Sequence, residues 1–137
     1  MSASEQTGAC LCGKVRITAN PEKLHLVACH CTQCQTWGGG PFLSVDCGGS
    51  VVIDGEEAVT AYSSSQWAER GFCHECGTHL YYRLKGTGEY AIPVGLFAGD
   101  TNWAFNLQIF IDQKPSCYSF AEQTENLTRD EAFERYS

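Results

Sequence analysis

The sequence predicts a mainly β fold closed by one short C-terminal helix, on three observations. Short runs of alternating or β-branched residues recur along the chain, glycine turns separate them, and a capping-box spacing with helical periodicity stands near the end. At 137 residues the chain fits one domain, 1–137, large enough to bury an apolar core without disulfide staples.

The elements follow in order. Lys14 to Thr18 alternates, with Val15 and Ile17 on one face and Lys14, Arg16 and Thr18 on the other, as a half-buried strand requires. Leu24 to Ala28, Phe42 to Val45, Val51 to Ile53, Ala58 to Tyr62, Thr78 to Leu84, Tyr90 to Val94 and Leu107 to Ile111 are further predicted strands. Cys47-Gly48-Gly49-Ser50, Asp54-Gly55, Lys85-Gly86-Thr87-Gly88 and Gly99-Asp100 supply the turns. Thr128 and Glu131 have the capping-box spacing, so a short helix is predicted there, docked by Phe133 and Tyr136.

Nine cysteines would suggest a disulfide framework in a small secreted chain, but seven of these fall in tight clusters. Met1 to Ala9 is short and polar, unlike a signal peptide, and no apolar run approaches membrane-spanning length. The expectation is a soluble, cytoplasmic protein whose cysteines ligate metal. The clusters are Cys10-Leu11-Cys12-Gly13, Cys29-His30-Cys31-Thr32-Gln33-Cys34 and Cys73-His74-Glu75-Cys76-Gly77. Residues two apart on a strand share a face, so Cys10 can meet an ion with Cys12, and Cys29 with Cys31. A C-x-x-C turn gathers its sulfurs by bending around the metal. Gly13 and Gly77 allow the positive φ such turns need.

Zinc prefers four ligands in a tetrahedron. Two pairs close one site, which favours Cys10, Cys12, Cys73 and Cys76 together, while Cys29, Cys31 and Cys34 would hold a second ion with an open corner. The sequence also permits Cys47 or Cys117 to complete the second site. Two zinc ions per chain make an acidic protein more so. Four thiolates on one Zn²⁺ add −2 and three add −1, taking the formal −7 to −10. Such a chain should repel nucleic acid and anionic membrane.

The residue order Gly8-Ala9-Cys10-Leu11-Cys12-Gly13-Lys14-Val15, then Cys29-His30-Cys31-Thr32-Gln33-Cys34, then Arg70-Gly71-Phe72-Cys73-His74-Glu75-Cys76-Gly77 resembles the glutathione-dependent formaldehyde-activating enzymes, which share their domain with centromere protein V. The resemblance covers most of the chain. It implies a zinc-bound, strand-rich Mss4-like fold, with Cys10, Cys12, Cys73 and Cys76 on a structural ion and Cys29, Cys31 and Cys34 on a catalytic one. The chain differs from many members at Gln108 and Cys117, where they carry histidine and tryptophan.

Other residues are weighed beside these. His30 should point away from the face its neighbouring cysteines share, in a supporting or packing role. His74 reads as exposed filler, and His25 and His79 as structural strand residues. Trp37, Gly38, Gly39 and Gly40 lead through Pro41 to Phe42, either as a plain turn or as a glycine strip whose amides approach a ligand at the metal. The segment is too short for a P-loop. Arg70, Arg83, Lys85 and Lys114 are candidates to offset the acidic field around an anionic thiol. There is no serine-hydrolase elbow or dinucleotide fingerprint, and Glu56-Glu57 and Asp130-Glu131 read as solvated charge.

The expected chemistry is that of a carbon–sulfur lyase. A thiol that coordinates zinc loses its proton near neutral pH and can attack an aldehyde such as formaldehyde, giving an S-hydroxyalkyl adduct, or the adduct can be cleaved. The expected partner is a small-molecule thiol, glutathione or a relative. The alternative is a non-catalytic zinc module for a protein partner.

Overall fold

The structure is a computed structural model and describes residues 5–97, 99 and 101–136. The chain forms two compact units, one from Met1–Leu24 and Val45–Asn102, the other from His25–Ser44 and Trp103–Ser137.

In the first unit, β1 (Gln6–Ala9) and β2 (Arg16–Ala19) pair antiparallel, and β2 pairs antiparallel with β5 (Val51–Asp54), so Ile17 faces Ile53. The alternation read along Lys14 to Thr18 is real, with Val15 and Ile17 essentially inaccessible, although the ladder starts two residues later. A four-stranded antiparallel meander follows: β6 (Val59–Ser63), β7 (Ala68–Cys73), β8 (His79–Leu84) and β9 (Tyr90–Pro93). Leu80 and Ile92 are fully buried in this unit.

In the second unit, β10 (Ala104–Ile109) lies between β3 (His25–Cys29) and β11 (Glu125–Leu127), parallel to both. Cys29 sits opposite Ile109 in this ladder. A helix, α1 (Thr32–Gly38), follows β3 directly. β4 (Phe42–Gly48) then carries the chain on to the first unit.

The fold is mainly β with a short C-terminal helix, as the sequence predicts, but five elements differ. The sequence predicts one helix, whereas α1 is a second. Its residues carry no apolar stripe of helical period, and the helix is defined by its caps: Cys31 is extended at the N-cap, and Gly39 closes the end with φ of +84°. β1, β7 and β11 are unpredicted strands, because Gln6–Ala9 and Glu125–Leu127 are mostly polar or small and Ala68–Cys73 breaks its alternation. The strand expected over Leu107 to Ile111 ends at Ile109, where Phe110 turns left-handed (φ +56°) into a single 3₁₀ turn.

At the chain's end α2 (Arg129–Tyr136) has the full reciprocal cap. The Thr128 N–H donates to Glu131 Oε1 (2.9 Å), and the Glu131 N–H to Thr128 Oγ1 (3.2 Å). Phe133 docks edge-on against Phe110, but Tyr136 is 61% exposed, so Ala132 rather than Tyr136 is the second docking residue. Of the expected turn at Gly99-Asp100, Asp100 lies outside the described residues.

Candidate functional site

The four-sulfur group of the first unit is built from two turns that each leave a strand. After β1 the chain bends, with the Gly13 N–H donating to Cys10 O (3.0 Å) and the Cys10 N–H to Val15 O (3.0 Å). After β7 the same pattern recurs, with the Gly77 N–H on Cys73 O (2.7 Å) and the Cys73 N–H on Thr78 O (2.9 Å). Gly13 (φ +81°) and Gly77 (φ +82°) take the left-handed conformation that side chains resist. Cys10 and Cys12 therefore meet across a turn, and not on one face of a strand as expected, because β1 ends at Ala9.

Cys10 Sγ lies 3.5 Å from Cys12 Sγ, Cys12 Sγ lies 3.7 Å from Cys73 Sγ, and the four sulfurs, with Cys76, all fall within 4.8 Å of one another. A tetrahedron with metal–sulfur bonds of about 2.3 Å has edges of about 3.8 Å. The group thus fits a divalent ion such as zinc.

Hydrogen bonds prepare these thiols for it. The Thr78 side-chain hydroxyl, 3.2 Å from Cys76 Sγ, and then the Thr78 backbone hold the Cys76 thiol down to about 5. The Cys10 sulfur accepts the Val15 N–H at 3.3 Å. At Cys12 the Lys14 backbone N–H favours the thiolate, but burial and the sulfurs of Cys10, Cys76 and Cys73 outweigh it and push the thiol up to about 12. Sulfurs this close cannot all ionise without a cation between them.

The three-sulfur group belongs to the second unit. Cys29 ends β3, Cys31 caps α1 by accepting the Cys34 N–H on its sulfur (3.3 Å), and Cys34 is buried in the first turn of the helix. Their sulfurs also lie within 4.8 Å of one another. The sulfurs of Cys31 and Cys34, together with burial, push the Cys29 thiol far up, so it keeps its proton unless a cation offsets the charge of the three sulfurs. Cys29 and Cys31 meet because the chain passes from strand to helix between them, where a continuous strand was expected. Gln35 and Gln113 brace that passage: Gln35 Nε2 donates to His30 O (2.7 Å) and Gln113 O (3.0 Å), and the Thr32 N–H donates to Gln113 Oε1 (3.0 Å). Sequence reasoning gave neither glutamine a role, since nothing in their spacing ties them to the cluster.

Neither remaining cysteine completes this group. The Cys47 thiol is buried, held up to about 12 by burial and by Asp46, and donates to Val45 O (3.6 Å), while Cys117 is exposed and outside the group. His30 is completely buried between the two ligand candidates, with its ring on Tyr118 and Gln108. His74 is exposed and bonds Thr60 Oγ1 (3.0 Å), His25 is exposed on β3, and partial burial and the charge of Arg70 lower the pKa of His79.

Trp37 packs edge-on to Phe42, with ring centres 5.7 Å apart. Gly38 and Gly39 are exposed, and no atom lies within 4 Å of a side-chain position at Gly38, Gly39 or Gly40. Gly38 ends α1 and Gly39 caps it, so the expected turn begins as helix. Of the four basic candidates, only Lys114 belongs to the unit of the three-sulfur group. Its ammonium sits over the Tyr118 ring at 4.9 Å and bonds the carbonyls of Pro115 and Tyr118. Arg70 stacks on Tyr82, Arg83 pairs with Glu69, and Lys85 bonds Ser63 and Ser65, all in the first unit. A cavity of about 390 Å³ opens beside Lys114, walled by Gln108, Phe120, Thr124 and Asn126 among others.

A mainly β chain that gathers four sulfurs in one unit and three in another has the donor sets of a protein able to bind metal through thiolates. The profile of the glutathione-dependent formaldehyde-activating enzymes matches residues 5–113, and the chain belongs to that family. A relative in Schizosaccharomyces pombe, described as an uncharacterized lyase, is 41% identical over 128 residues, covering 93% of each chain. A putative glutathione-dependent formaldehyde-activating enzyme of Sordaria macrospora is 32% identical over 76 residues, which are 53% of this chain and 32% of that one. A crystal structure of a Rhodobacter sphaeroides protein superposes with a TM-score of 0.61 over 73% of this chain and 99% of that one, at 21% identity, a likeness of fold. No helix among the described residues is long and apolar enough to cross a membrane.

Proposed function

We propose that the chain acts as one functional domain and is a zinc-dependent carbon–sulfur lyase that joins glutathione or a related thiol to a small aldehyde such as formaldehyde, and cleaves the adduct in reverse. The observation that carries the reading is the three-sulfur group: Cys29, Cys31 and Cys34 converge within 4.8 Å and supply three of the four ligands a tetrahedral ion takes. The lyase description of the Schizosaccharomyces relative and the family's own description support it.

In this reading Cys10, Cys12, Cys73 and Cys76 hold a structural zinc, and Cys29, Cys31 and Cys34 a second, catalytic one. Bound there, zinc supplies Lewis acidity and favours the thiolate form of a thiol at the open position. The chain's own part is to hold the three sulfurs together, the fourth ligand coming from the substrate. Trp37, Gly38, Gly39 and Gly40 then contact the substrate; the glycines put no side chain in its way, and the Gly39 N–H stays on Gln35 O (2.8 Å) as the cap of α1. In the forward direction the thiol's sulfur bonds the carbonyl carbon, and the thiol's proton ends on the carbonyl oxygen.

Calorimetric titration of glutathione and S-methylglutathione into zinc-loaded protein tests the proposal. Glutathione binds, and binds more tightly as pH rises toward its thiol pKa of about 8.5, because the proton must leave before sulfur can coordinate. S-Methylglutathione keeps the charges but has no ionisable thiol, so it binds at least tenfold more weakly. Equal affinities overturn the zinc-thiolate reading, and binding of neither favours the protein-partner module.

A further inference from the structure

His30 lies between two of the three clustered cysteines, and all of its polar groups are bonded inside its own unit. The backbone N–H donates to Ile109 O (3.1 Å), and the backbone carbonyl accepts from Gln35 Nε2 (2.7 Å). On the ring, Nδ1 lies 2.9 Å from the Tyr118 hydroxyl and Nε2 lies 2.8 Å from Gln108 Oε1. The direction of the ring bonds is set at the far end. Gln108 donates its Nε2 to Thr124 Oγ1 (2.9 Å), and that hydroxyl donates to Asn126 Oδ1 (2.6 Å), so Gln108 offers oxygen to His30. Nε2 therefore carries the ring hydrogen, and Nδ1 accepts the Tyr118 O–H. One oriented chain runs Tyr118, His30, Gln108, Thr124, Asn126.

Filling this space needs no imidazole. An apolar side chain of similar size would pack without the cost of desolvating two ring nitrogens, which only their two partners offset. What the bonded ring adds is orientation. Backbone bonds fix the peptide groups of residues 29–31, and ring bonds fix the direction in which His30 leaves the chain, so the flanking sulfurs are held in one arrangement. Tyr118, Thr124 and Asn126 all lie beyond residues 5–113, outside the segment by which the family is recognised.

We propose that His30 is a positioning residue, which through Tyr118 and Gln108 fixes the Cys29–Cys31 spacing and so preorganises the three-sulfur site. The proposal rests on reading that site as a zinc site. Supporting groups of this kind are commonly worth about 10–100-fold in metal affinity.

The test uses the full chain, titrated with Zn²⁺ against a chromogenic chelator and, separately, loaded with Co²⁺ for its visible and sulfur-to-metal absorption bands. The native chain binds two equivalents. His30→Leu keeps the first and binds the second at least tenfold more weakly, with displaced Co²⁺ bands for that equivalent alone. His30→Gln, whose amide nitrogen can reach Gln108, recovers part of both, and Tyr118→Phe shifts both in the direction of His30→Leu by a smaller amount. A folded His30→Leu with native affinity and native bands overturns the proposal. If His30→Leu does not fold, native values in Tyr118→Phe overturn it instead. A native chain that binds one equivalent removes the second zinc site and this proposal with it, whereas two equivalents with unperturbed variants leave the zinc reading standing and remove only the role of His30.

Discussion

Thr78 ties the two turns of the four-sulfur group together through one hydroxyl, which accepts the Leu11 N–H (3.1 Å) and sits 3.2 Å from Cys76 Sγ. Because that contact is the main reason the Cys76 thiol falls to about 5, its loss in Thr78→Val moves the thiol back toward its ordinary value near 9. The sign follows from proton release on metal binding. A thiol that holds its proton more tightly competes better against the ion, so the pH midpoint for acid release of the first metal rises, by roughly one unit. Chelator-trapped zinc measured against pH checks this, and an unchanged midpoint removes Thr78 from the site. At this scale the sulfurs were legible and their supports were not. Tight spacing in the sequence already places these sulfurs close together. Thr78, Gln35 and Gln113 act through contacts that the fold alone creates.

At the scale of single elements, the ladder of β7 and β8 depends on the absence of a side chain, at the point where its register shifts between Gly71 and Phe72. A β-carbon on Gly71 would stand 2.3 Å from the ring carbons of Tyr81, its partner across the ladder. Tyr81 is 5% exposed and locked edge-on to Tyr90, so it has little room to retreat. Gly71→Ala should lower stability by about 1–3 kcal/mol through overpacking, read as a shifted urea midpoint. The same element shows why some strands escaped the sequence. Ala68–Cys73 buries Ala68, Arg70, Gly71 and Cys73, a pattern with no period of two, because a glycine under a tyrosine and an arginine stacked on Tyr82 replace ordinary alternation. The helix α1 escaped for a related reason: a cysteine sulfur does the capping work of serine or aspartate. Where local chemistry is ordinary, as in β2 or the reciprocal cap of α2, the sequence was sufficient.

Across the whole molecule the proposed function assigns the two clusters different tasks, so under it damage to each should differ in kind. Structural zinc contributes on the order of 10 kcal/mol of apparent binding energy. Cys73→Ser should therefore cost the first unit its metal and its cooperative melting transition. Cys31→Ser should stay folded, keep the first equivalent and lose thiol binding. Calorimetric melting with metal counting separates the two, and gross unfolding of Cys31→Ser with loss of both metals would show the second cluster to be structural. The arrangement of the second unit also bears on biosynthesis. Its parallel ladder and its ring contacts join His25–Ser44 to residues after Trp103, and Tyr118 follows His30 by 88 positions. At about 5–20 residues per second, a ribosome exposes three closely spaced thiols for several seconds before their supports exist. During that interval the three thiols lack the contacts that hold them in the finished protein, so an oxidant present during synthesis should trap Cys29, Cys31 and Cys34 more readily than the same oxidant added afterwards.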